Sequence, residues 1–95
     1  MAKKIIIRSK GNVFEDLGFD PAEAAVMEMR ARLMAELRLR IKGKGWTQKQ
    51  AAERLGITQP RVSALIKGKY EQFSLDMLLQ LALKAGLHPE VRLAA

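Results

Sequence analysis

The chain is expected to be mainly α-helical, with four to five helices and short strands at its ends. Two patterns predict the helices. An apolar residue followed by a capping residue recurs at Phe19-Asp20, Trp46-Thr47, Ile57-Thr58 and Phe73-Ser74. In each pair the capping oxygen accepts an otherwise orphaned amide, and the apolar residue can staple to the first turn. Leu33, Leu37 and Ile41 follow at four-residue spacing, with Met27 and Met34 beside them, as on one helix face. The candidate strands are the β-branched run Lys4-Ile5-Ile6-Ile7-Arg8 and the stretch Glu90-Val91-Arg92-Leu93.

A chain of 95 residues supports one core and not two. With 48% hydrophobic and 28% charged residues and no low-complexity tract it reads as globular, and with only 5% aromatics its core is aliphatic. There is no cysteine, which excludes disulfides and thiolate metal sites. The basic N-terminus has only three consecutive apolar residues, Ile5 to Ile7, too few for a signal-peptide core. No run approaches the roughly 18 apolar residues of a membrane span, so a soluble, cytoplasmic protein is expected. The expected organisation is a strand or arm and loop over 1–20, a helical domain over 21–87, and a strand or tail over 88–95.

Along the chain, residues 9–18, with Gly11, Asn12 and Gly18, read as a loop that Val13, Phe14 and Leu17 can anchor. The first helix starts at Asp20-Pro21-x-Glu23, with proline at the first helical position and an acidic first turn, and runs to about Lys42. Glu28 with Arg32 and Glu36 with Arg40 are spaced as surface ion pairs. Gly43-Lys44-Gly45 ends the helix. Thr47-x-x-Gln50 is a capping box opening a second helix to about Leu55; a third is expected from Gln59 to Lys67 and a fourth from Leu75 to Ala85, closed by Gly86 in a left-handed conformation. Ile57 is placed to staple to Val62, and Phe73 to Leu78.

The second and third helices are each about two turns long, below the roughly 12–15 residues at which an isolated helix becomes marginal in water. Such short neighbours imply a tertiary role. Ala52 is small where a second helix must cross closely, Gly56 can take the positive φ of a sharp turn, and Val62 and Leu65 point back under the crossing. The opposite face of the third helix is left free, which is a helix-turn-helix arrangement. In such a unit one helix crosses the DNA backbone and the other enters the major groove, about 12 Å wide. Thr47-Gln48 and Thr58-Gln59 repeat one opening, and each helix start offers free amides and positive dipole to phosphate. Glutamine there can donate to phosphate or pair with adenine.

Charge agrees with a polyanionic partner. The net charge is +7, distributed as +4 over 1–10, −5 over 11–28, +6 over 29–50, +3 over 51–70 and −1 over 71–95. The positive charge concentrates at the N-terminal tip and in the middle of the chain, with an acidic band between.

The run from Gln48 to Gln59, followed by Val62, Leu65 and Gly68-Lys69, resembles the Cro and cI type of phage-repressor helix-turn-helix, also called the XRE type, over residues 33–87. The segments from Gly11 to Phe19 and from Gln59 to Leu65, with Phe73-Ser74-Leu75, are similar to a subgroup of small repressor antitoxins. That resemblance implies a protein that neutralises an mRNA-cleaving toxin of the RelE-like class and represses its own operon. It also implies that Gln48 contacts phosphate, that Gln59 reads a base, and that Pro60, Ser63 and Ala64 face the groove. Proline cannot donate and alanine offers only a methyl, so base reading is expected to shift to Gln59 and Arg61, with Ala64 against a thymine methyl. Lys67 and Lys69 suit phosphate positioning, together with Thr47, Thr58, Lys49 and Tyr70.

The remaining residues offer no competing chemistry. His88, the only histidine, is expected in a loop beside Pro89, with no second histidine or cysteine to complete a metal site. Glu23, Glu28, Glu36 and Glu53 have no convergent partner, so neither an enzyme nor a cofactor is expected. Trp46 reads as a staple on the following helix and the methionines as core. The Ile5–Ile7 strand can pair with residues 90–93, with a second subunit or with a toxin. The expected function is a dimeric, sequence-specific repressor acting as the antitoxin of a type II toxin–antitoxin operon. The alternatives are a protein-interaction module on a scaffold that does not read DNA, and a stand-alone regulator.

Overall fold

Four side-chain caps set the helix starts. In the computed structural model, which describes residues 3–8 and 13–92, the elements are β1 (Lys3–Arg8), α1 (Val13–Asp16), α2 (Pro21–Lys44), α3 (Gln48–Leu55), α4 (Gln59–Ile66), a 3-10 turn (Tyr70–Gln72), α5 (Leu75–Lys84) and β2 (Leu87–Arg92). Asp20 accepts from the amides of Ala22 and Glu23 at 2.9 and 3.2 Å. The Glu23 amide is the main cause that holds the Asp20 carboxyl below its ordinary pKa, whereas the hydrogen bond to the Asp20 side chain raises that of Glu23. Thr47 and Gln50 close the expected capping box, and Thr58 and Ser74 accept from the amides of Arg61 and Met77.

Several boundaries differ from the sequence reading. The expected loop over 9–18 contains α1, one turn whose Phe14 packs edge-to-face on Phe19 with ring centroids 6.1 Å apart. Leu17, expected to anchor this segment, is 69% exposed. Gly43 and Lys44 continue α2, which ends at Gly45 in the left-handed region (φ 67°). β2 begins directly after Gly86 and includes His88 and Pro89, so His88 is a strand residue and not a loop residue. Gly86 (φ 81°) turns the chain out of α5 without an intervening loop. Proline is tolerated because a two-stranded ribbon has an open edge on each strand, where no amide partner is lost. β1 and β2 pair in parallel, from Lys3 with Leu87 to Arg8 with Arg92, so the in-chain alternative for the Ile5–Ile7 strand is the one observed. Leu93, expected to end the second strand, lies outside the described residues.

The core is aliphatic, as the composition implies. Leu33, Leu37 and Ile41 of α2 pack with Leu55, Val62, Leu65, Leu78 and Leu87, around Phe73 as the one large aromatic within the buried cluster. Burying each such side chain contributes about 1.5–3 kcal/mol before conformational entropy is counted. Arg32 meets Glu36 at 3.6 Å, one turn along α2. Arg40 turns to the end of α5, where Nε donates to the Ala85 carbonyl at 2.8 Å and Nη2 to the Gly86 carbonyl at 2.9 Å. A cation on these end-of-helix carbonyls also matches the helix dipole. Among the described residues no helix is long and apolar enough to cross a membrane.

The cap and the clamp are separately testable by urea denaturation. Ser74→Ala is expected to cost about 1 kcal/mol through the lost cap. Arg40→Met is expected to cost about 2 kcal/mol, because it removes charge-assisted bonds to two carbonyls. A melt unchanged in Arg40→Met would show that the clamp contributes nothing.

Candidate nucleic-acid interface

The short helices α3 and α4 hold one another at a tight turn. Gly56 takes φ 70°, and its amide and that of Ile57 both donate to the Ala52 carbonyl, at 2.8 and 3.1 Å. A side chain at Gly56 would be strained by this φ and would meet the Lys84 ammonium at 3.4 Å. Ala52 is buried, and Val62 and Leu65 are fully buried beneath the crossing. Leu55 and Ala51 complete this side of the core. Ala52, Val62 and Leu65 belong to the buried cluster, whereas Gly56 is exposed and supplies the turn.

What remains outside is the first turn of α4. Gln59, Pro60 and Arg61 are exposed and Ser63 is half-buried. Pro60 lies within the first helical turn, where its missing amide costs no helical hydrogen bond. Gln48 and Lys49 at the start of α3, and Lys67 and Lys69 after α4, are exposed as well. The hydroxyls of Thr47 and Thr58 are occupied as caps, so they shape the helix ends that face outward. Tyr70 is half-buried against the core.

A family model described as a helix-turn-helix domain matches residues 13–94. The chain belongs to this helix-turn-helix domain family. No curated protein sequence matches it significantly. Membership supports DNA as a partner and a DNA-binding regulator as the class of protein. It is also consistent with the exposed first turn of α4 in a unit where the second helix enters the major groove.

Two expected base readers, Ala64 and Arg61, make contacts within the protomer. Ala64 is only 7% exposed and belongs to the buried cluster, so it has no methyl to offer a thymine. The chain folds back over the end of α4, and the Lys69 amide donates to the Ala64 carbonyl at 3.0 Å. Arg61 is turned away from the free end of its helix. Its Nη1 donates to the Gln72 carbonyl at 2.9 Å and lies 3.6 Å from Met77 Sδ, while the guanidinium lies 5.6 Å from the Phe73 ring centroid. It ties α4 to the segment before α5. Trp46 is half-buried against the core, with Arg54 stacked over it at 5.8 Å, in keeping with a staple.

Arg38 and Lys42, one turn apart on α2, are both exposed. Among the described residues no group of His, Asp or Glu is placed to hold a metal ion, and His88 is exposed on β2.

Ala64→Leu is expected to destabilise the fold by about 1–3 kcal/mol through overpacking. Gln59→Ala, at an exposed position, is expected to stay within about 0.5 kcal/mol of the wild type. Denaturation of both variants checks the assignment, and an unaffected Ala64→Leu protein would return Ala64 to the surface.

Proposed function

We propose that the chain is a sequence-specific transcriptional repressor that binds operator DNA as a dimer. The observation that carries this reading is the exposed first turn of α4, with Gln59 at its tip, held on a rigid crossing and bordered by Lys49, Lys67 and Lys69. Gln59 is the base reader, pairing with an adenine edge, and Ser63 is a second polar contact at the rim. Gln48, Lys49, Lys67 and Lys69 set the position of the duplex through phosphate. One module of this size covers a small DNA surface, and two half-sites about 34 Å apart supply affinity and symmetry.

The finer assignment is that the repressor is the antitoxin of a type II toxin–antitoxin operon, with a RelE-like toxin as its protein partner. It rests on the resemblance of the segments around Phe14, Phe19, Gln59 and Phe73 to small repressor antitoxins. Co-expression with the product of the adjacent reading frame tests it directly. A stable complex that abolishes that product's toxicity is expected, and a chain encoded alone that still represses its promoter would instead be a stand-alone regulator.

The burial of Ala64 and the bond of the exposed Arg61 guanidinium to the Gln72 carbonyl favour one second reading, a protein-interaction module that keeps the scaffold and reads no sequence. Gel-shift titrations on the chain's own promoter and on random duplex separate the two. Gln59→Ala is expected to relax preference at one base position by about 1–3 kcal/mol, whereas Lys69→Ala weakens all duplexes alike. Equal losses on operator and random DNA for Gln59→Ala would falsify the base-reading role. A wild-type chain that retards no duplex would leave the interaction module.

A further inference from the structure

The arginines and lysines of the middle of the chain divide into two groups. Arg40, Arg54 and Arg61 are committed within the protomer, to the Ala85 and Gly86 carbonyls, the Trp46 ring and the Gln72 carbonyl. Arg38 and Lys42 are exposed, and among the described residues neither side chain has a hydrogen bond or an ion pair. They stand one turn apart on the same side of α2. Like charges so placed cost a helix roughly 0.2–0.5 kcal/mol, which makes an unshared pair a poor choice for stability alone.

Their surroundings connect them to the DNA-facing parts of the molecule. Arg38 Nη1 lies so near Gly68 that a Cβ on that glycine would sit 3.5 Å from it, which brings the guanidinium to the loop carrying Lys67 and Lys69. Lys42 shares a groove with Trp46, the residue immediately before the cap and start of α3, and Arg38 and Ile66 line the same groove. The pair therefore spans the distance between the exit of α4 and the entrance of α3. Both of those segments are assigned to phosphate in the reading above.

We propose that Arg38 and Lys42 form a phosphate rail on α2, continuous with Lys67 and Lys69, that carries the DNA backbone past the helix-turn-helix. The inference rests on the DNA-binding reading and adds a third element to the contact surface. Arg38 has the planar fork that grips a phosphate through two donors, and Lys42 acts as a point charge one turn farther along. Neither residue reads a base.

The test measures affinity against salt concentration for operator and random duplexes, using the full chain and its Arg38→Gln/Lys42→Gln double variant. Each lost phosphate contact lowers the slope of log affinity against log salt by about 0.9, so the double variant is expected to lose about 1.8. The fold-loss in affinity is expected to be equal on the two duplexes. Arg32→Gln, which removes one charge elsewhere on α2, is expected to leave the slope unchanged. Circular dichroism melts confirm that each variant is folded. A double variant with the wild-type slope overturns the rail alone, as does a fall of about 0.9 in Arg32→Gln, the same loss per charge removed, which would reduce the effect to net charge. A wild-type chain that binds no duplex overturns the rail together with the DNA-binding reading.

Discussion

Helices of eight residues do not persist by themselves, so α3 and α4 exist only because each buries a face against the other, α3 also against α5 and α4 also against α2. Ala51, Ala52 and Leu55 on one side, and Val62 and Leu65 on the other, supply that burial. Gly56 allows the chain to reverse within the space of one residue while the Ala52 carbonyl accepts both following amides. The tip of α4 is therefore presented by a packed scaffold and not by a loop. A site built in this way gives up little ordering entropy when a duplex arrives.

The basic residues divide between partners within the protomer, which Arg40, Arg54 and Arg61 have, and solvent, which Arg38 faces. Planar guanidinium groups hold carbonyl oxygens at the end of α5 and in the 3-10 turn, or lie against the ring of Trp46. Lysines around the α3 start and the α4 exit keep their heads in solvent. Only part of the positive charge of the chain is thus available to a polyanion. The net charge overstates the binding surface, and the arrangement of partners defines it.

Features governed by local rules were legible in the sequence. The caps at Asp20, Thr47, Thr58 and Ser74 depend on residues two or three positions apart, and the inward set Ala52, Gly56, Val62 and Leu65 follows from spacing within two short helices. Features that depend on distant neighbours were not. Ala64 is buried in the core cluster, and Arg61 finds its carbonyl eleven residues on, so α4 offers less to a groove than a helical wheel indicates. α1 was hidden by Gly11 and Asn12 before it and Gly18 after it. The early start of β2 was hidden by Pro89, which argues against a strand in any sheet but an open ribbon.

The β1–β2 ribbon joins positions more than eighty residues apart in the chain, while the caps and the α3–α4 turn join near neighbours. Loop-closure entropy therefore ranks the two classes of contact in time: the helical nucleus can assemble from nearby pieces, and the ends zip together afterwards. Leu87 then sets the first residue of β2 into the core that the helices have already formed, so the last pairing to close is anchored on the first cluster to assemble.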